Sequence, residues 1–134
     1  MSLLNYHVHP DRKIIEVRPS GVVQVSDILS YAEEALSLDL ITTGTVEYYD
    51  LSGMTNLSVD YKSARALAGT VQEWLARGWY GSVFVTPQEY QFGMTGAIAE
   101  SIEGSPGGMM VPTREPIDLG DVRDLIVEHR RVSR

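Results

Sequence analysis

The residues with the best chance of doing chemistry lie between Asp50 and Asp60. Within DLSGMTNLSVD, Asp50, Ser52, Thr55, Asn56, Ser58 and Asp60 put two carboxylates and several hydroxyls into one short stretch. Asp50 ends an apolar run, and the C-terminal end of a strand is where α/β sheets present ligand and catalytic groups. Acid–base or nucleophilic catalysis there needs a base held against a nucleophile, and no histidine is near in sequence to serve as one. His7 could approach only through the fold. The alternative for Asp50 and Ser52 is structural, since such side chains satisfy backbone donors in tight turns. Asp60 has an equally plain structural use, because aspartate is among the best helix N-caps.

A second pair is His7 and His9, two apart on an extended run and therefore on one face. Asp11 follows, which makes a metal conceivable, but His129 is the only other histidine. That ligand count is too low to specify a metal site. The chain has no cysteine, so disulfides and thiolate metal centres are excluded. Gly104, Gly107 and Gly108 precede a strand rather than a helix N-terminus, so they form no phosphate loop. No cofactor or metal is called for.

The elements that must position these residues follow from periodicity. Leu3 to His9 and Lys13 to Val17 form a hairpin across Pro10-Asp11-Arg12. Pro19-Ser20-Gly21 bends the chain into a short strand at Val22 and Val23. Ser26 is the expected cap of a first helix, with Ile28, Leu29, Ala32, Ala35 and Leu36 as its inner stripe. Thr45 to Leu51 is the central strand. A second helix starts at Asp60, buries Ala64, Leu67, Ala68, Val71, Trp74 and Leu75, and stops at Gly78. Ser82 to Val85 is an interior strand. Thr86-Pro87-Gln88-Glu89 has the pattern of a capping box and predicts a third helix from Pro87 to about Ser101.

That third helix has two apolar sides. Tyr90, Met94, Ala97, Ile98 and Ser101 are assigned to the sheet, whereas Phe92, Gly96 and Ala99 lie opposite, with Gly93 between. Glycine in a helix costs up to about 1 kcal/mol relative to alanine. Gly93 and Gly96 therefore point to close approach by a neighbouring helix, a second subunit or a ligand. Trp79 and Tyr80 are expected to add an exposed aromatic patch. Met109 to Pro112 is the last strand, and Asp118 caps a final helix facing inward through Leu119, Val122, Leu125 and Ile126. The order ββαβαβαβα predicts an α/β fold: one domain over residues 1–134, with a mixed, mostly parallel sheet of about five strands and four helices.

Composition bounds the partners. Eleven basic against 18 acidic residues leave a net charge of −7, which argues against a nucleic-acid partner. Arg123, Arg130, Arg131 and Arg134 are explained by a helix C-terminus that favours cations. MSLLNYHVHP has neither the basic nor the apolar region of a signal peptide, and no apolar run approaches the roughly 20 residues of a membrane span. The expected compartment is the cytoplasm.

Several strings resemble a known family. KIIEVRPSGVVQVSDI is similar to the opening of a STAS domain (sulphate transporter and anti-sigma-factor antagonist), and VEYYDLSGMT to that family's central strand. VFVTPQEYQFGM and the closing strand and helix resemble its SpoIIAA-like branch, whose fold is shared with lipid-binding CRAL-TRIO domains. In anti-sigma-factor antagonists the central strand leads to Asp-Ser-Ser-Gly, with a serine phosphorylated by a partner kinase. This chain departs from that pattern with Leu57-Ser58-Val59-Asp60-Tyr61. Asp60 stands where the phosphorylated serine would be, and a shifted register puts Ser58 there instead. A carboxylate carries about one negative charge against nearly two for phosphoserine.

The resemblance implies a non-enzymatic regulatory or protein-interaction domain, homodimeric and with an unidentified protein partner. Its partner rim would be Asp50, Ser52, Thr55, Ser58 and Asp60, and its interface Phe92, Gly93, Gly96 and Trp79. The alternative is a carrier of a small apolar ligand or lipid, using a pocket between helices and sheet. An enzyme using Asp50 or Asp60 with His7 is the third reading.

Overall fold

Burial on both faces of one central strand sets the architecture. In the computed structural model, which describes residues 4–88 and 110–132, β4 (Val46–Asp50) is buried at all five positions. A strand buried throughout must be interior and covered on both sides. β4 is the third strand of a five-stranded sheet ordered β1-β2-β4-β6-β7. Here β1 is Asn5–His9, β2 Ile14–Arg18, β6 Gly81–Val85 and β7 Met110–Thr113. β1 pairs antiparallel with β2 through the expected hairpin, and all other neighbours are parallel. The expected mixed, mostly parallel sheet is therefore observed.

Two helices cover one face of the sheet. α1 (Val25–Ser37) and α2 (Tyr61–Arg77) pack on each other and on Ile15, Val17 and Tyr49. They are joined by the Trp74 indole N–H, which donates to the Ala32 carbonyl at 3.0 Å. α3 (Val122–Val132), preceded by a 3-10 turn at Leu119–Asp121, covers the other face, with Val122 and Ile126 against Ile14, Val46, Tyr48 and Val83. The expected stripes of α2 and α3 are thus the buried ones. Two of the C-terminal arginines act as ties. Arg123 donates to the carbonyls of Gly44 and Arg12, and Arg130 donates to the Tyr80 carbonyl while lying 4.0 Å over its ring centroid.

The ends of α2 match their sequence signals. Asp60 accepts the Ser63 N–H at 2.7 Å, and Gly78 closes the helix with φ of +103°. A Cβ at Gly78 would stand 2.5 Å from the Thr43 Cα, so glycine is required there on two counts. The start of α1 differs from expectation. Gln24, not Ser26, occupies the cap position, and the Asp27 carboxylate reaches back to the Gln24 N–H at 3.0 Å. Ser26 lies within the first turn, its hydroxyl donating to the Gln24 side chain at 3.2 Å.

A further difference is the segment after β4, which was expected to be a turn leading directly to a helix. After a tight turn the chain forms β5 (Met54–Ser58), which pairs in parallel with β3 (Gly21–Gln24) in a separate two-stranded sheet. That small sheet directs Val23 and Leu57 inward. The described residues hold three α-helices. Of the fourth, expected over Pro87 to Ser101, only Pro87 and Gln88 are described and neither is helical; the rest of that stretch, with Phe92, Gly93 and Gly96, and the glycines at 104, 107 and 108 are outside the described residues. Thr86, read as that helix's cap, is buried, and both its N–H and its hydroxyl donate to the Thr113 carbonyl, at 2.7 and 3.3 Å.

Candidate functional site

Side-chain alternation along β4 separates the expected site from the observed one. Val46 and Tyr48 meet the α3 layer, whereas Tyr49 meets the α1–α2 layer, as does Glu47 through Tyr31 of α1. Asp50, in phase with Tyr48, is turned away from the α1–α2 layer.

The structure uses Asp50 and Ser52 as turn residues. One Asp50 oxygen accepts both the backbone N–H of Ser52 at 3.0 Å and its hydroxyl at 2.6 Å. The other faces Arg18 at 3.6 Å. Arg18 also bonds Glu16, which His9 approaches at 3.0 Å. Burial pushes the Glu16 carboxyl up, but hydrogen bonds from His9 and Arg18 outweigh it and hold the group below its ordinary value. His7 and His9 do share a face, with ring centroids 4.5 Å apart, and His9 is directed to Glu16. Among the described residues no cluster of three or more His, Asp or Glu could hold a metal.

Thr55 and Ser58 lie exposed along β5, and Asp60 is engaged by Ser63 at the start of α2. The Asp60 hydrogen bonds to Ser63 hold its carboxyl below the usual value. The five expected rim residues are thus split between a turn, a strand and a helix cap. Trp79, expected on the surface, is corrected to the interior. It is 4% exposed, and its indole N–H donates to the Ser82 hydroxyl at 3.2 Å.

The sheet face under α1 and α2 holds a cavity of about 80 Å³, to which Glu47, Tyr49 and Trp79 contribute. Its lining is otherwise almost wholly apolar, with Val23, Leu57, Leu67, Val71 and Trp74 among the walls. Glu47 is 5% exposed. Tyr31 donates to one of its oxygens and Ser82 to the other, each at 2.5 Å. Burial pushes the Glu47 carboxyl up to about 7, against the opposing pull of the hydrogen bonds from Ser82 and Tyr31. Among the described residues the buried Tyr49 hydroxyl has no hydrogen-bond partner. Burial, and then the charge of Glu47, raise the Tyr49 phenol well above its ordinary value.

Sequence reasoning passed over Glu47, Tyr31 and Ser82. The usable signal was a glutamate within an otherwise apolar and aromatic strand, VEYYD, where a charge covered on both faces demands donors.

No protein-family model matches this chain, and no curated protein matches it. Among solved structures, the anti-sigma factor antagonist SpoIIAA in its unphosphorylated form is similar, with a TM-score of 0.47 and 14% identity over 68% of this chain and 79% of that one. It bears the same name as the family branch that the sequence strings resemble. No residue role passes from it to this chain.

Proposed function

We propose that the chain is a non-catalytic binding domain that holds a small, mainly apolar ligand between α1, α2 and the sheet. The observation that carries this reading is the apolar cavity with Glu47 and Tyr49 in its wall. Ligand pockets combine apolar walls with a few fixed polar groups, and this cavity has that composition. Its volume of about 80 Å³ limits an occupant to a small molecule, or to one end of a longer chain. The carboxylates first considered for catalysis support a non-catalytic role, since Asp50 is engaged by Ser52 and Asp60 by Ser63.

The test is a titration with methylcyclopentane, following backbone amide signals of the wild type and of Val71→Phe, which fills the cavity. Perturbations confined to the residues that line the cavity in the wild type, and lost in the variant, are expected. No perturbation, or the same one in both proteins, overturns the reading.

A second reading, a regulatory domain that meets a protein partner at the β3–β5 edge, has its own observation. Val22, Val59 and Tyr61 are 66%, 57% and 79% exposed, and Val59 and Tyr61 flank Asp60 beside Ser58. Large exposed apolar side chains beside a polar rim suit a partner surface. Under this reading Val59→Ser with Tyr61→Ser abolishes capture of a partner from host extract and leaves methylcyclopentane binding intact. Unchanged capture by the double variant rules it out. A homodimer would show as twice the chain mass in light scattering.

A further inference from the structure

Among the described residues that line the cavity, Glu47 is the one that can carry a charge near neutral pH. It lies in phase with Tyr49 on β4 and so faces α1 and α2. An ionised carboxylate has about four acceptor sites, and Tyr31 and Ser82 fill one on each oxygen. The indole donors in this wall are committed elsewhere, Trp74 to Ala32 and Trp79 to Ser82. The Tyr49 hydroxyl is not bonded to it either. The charge therefore depends on water in the cavity for the rest of its solvation. The neutral acid does not, because its own O–H can donate to one of the two hydroxyls in turn.

We propose that occupation of the cavity is coupled to a proton: an apolar occupant binds the chain with Glu47 neutral and leaves as Glu47 ionises. This inference rests on the ligand-binding reading and adds the regulation of that site. An apolar occupant takes the place of the water that the charged form needs, so occupant and charge compete for one space. The Glu47 carboxyl, raised to about 7 chiefly by burial, sets that competition near neutral pH. The groups around it keep their charge state there. Tyr31 on α1, Tyr49 on β4 and Tyr6 on β1, which packs on Tyr31 and faces Glu34, are all raised above their ordinary values, chiefly by burial. Among the described residues, α2, β3, β5, β6 and β7 contribute no ionisable side chain to the lining.

The test is the affinity of methylcyclopentane for the wild type and Glu47→Gln, measured from about pH 5.5 to about pH 9. Methylcyclopentane has no titrating group, so any pH dependence belongs to the protein. An occupant that favours the neutral acid raises its pKa, and affinity falls as pH rises from the empty to the occupied value. The expected fall in the wild type is about tenfold, the factor that goes with a one-unit difference in pKa between the empty and the occupied chain. Binding just above pH 7 should also take up protons from a weakly buffered solution. Glu47→Gln cannot ionise and should show no such fall. Independently of that variant, the 13C signal of the Glu47 carboxyl in the wild type should titrate at higher pH with methylcyclopentane present than without it.

Constant wild-type affinity across this range, tighter binding at alkaline pH, the same fall in Glu47→Gln, or an unmoved Glu47 titration overturns the inference. The ligand-binding reading survives these results, since methylcyclopentane binds in each. Should Glu47→Gln fail to fold, the carboxyl titration of the wild type decides. Failure of methylcyclopentane to bind the wild type at any pH overturns both.

Discussion

Replacing Glu47 with glutamine tests the balance of forces in the cavity wall. The carboxyl has an ordinary value of 4.5 and is raised to about 7 in the folded chain, chiefly by burial. For a carboxyl raised on folding, the native state binds the proton more tightly than the unfolded state. Stability is therefore greatest below about pH 4.5, where both states are protonated. It declines as pH rises towards 7, because the unfolded chain ionises while the folded one holds its proton, and is level above that. A shift from 4.5 to about 7, at 1.36 kcal/mol per unit, makes the loss on the order of 3 kcal/mol. Glutamine keeps the shape and removes the titration. The urea midpoints of wild type and Glu47→Gln, measured every pH unit from 4.5 to 8.5, should diverge through this window, with the variant relatively more stable at the alkaline end. Other titrating groups cancel in the difference between the two profiles. Parallel profiles would refute the reasoning, because they would mean that Glu47 is hydrated or fully compensated by Tyr31 and Ser82.

Three further substitutions check the frame around the site. Gly78→Ala should destabilise the chain by at least about 1–2 kcal/mol, because alanine is strained at this φ and its Cβ would meet Thr43; urea unfolding measures it. Trp74→Phe should cost about 1–3 kcal/mol by leaving the Ala32 carbonyl without its indole donor, and protection of α1 amides from hydrogen exchange should fall with it. Asp60→Ala should lower the urea midpoint by removing the α2 cap, and Asp60→Ser should restore most of it, with methylcyclopentane binding unchanged in both. If Asp60→Ala instead left stability intact and altered partner capture, Asp60 would be a recognition residue.

The sheet and helices were legible where local chemistry and tertiary packing agree. Asp60, the apolar spacing from Leu67 to Trp74 and Gly78 all specify the same helix, and the structure keeps each one. The start of α1 was misplaced because Ser26 and Asp27 both suit a helix N-terminus. The Asp27 carboxylate reaching back to the Gln24 N–H sets the boundary. β5 was not legible, since MTNLS has no strict alternation and its strand state depends on pairing with β3, more than 30 residues earlier. Trp79 was read as a surface residue because it follows a helix end. The bond to Ser82 and packing on Trp74, with ring centroids 5.8 Å apart, draw it inward.

The same contrast separates the two places where function could lie. At Asp50 to Asp60 the polar groups are satisfied locally: Ser52 serves Asp50 and Ser63 serves Asp60, so the fold alone accounts for them. In the cavity the account does not close. Trp79 orients Ser82, and Ser82 and Tyr31 hold Glu47, yet Tyr49 beside them has a buried hydroxyl with no partner among the described residues. A phenylalanine at that position would keep the stacking on Phe84 without the unpaired group. Stability alone does not account for the Tyr49 hydroxyl. Replacing Tyr49 with phenylalanine tests this: stability against urea should hold or rise, and a clear loss would mean that the hydroxyl has a partner in the folded chain.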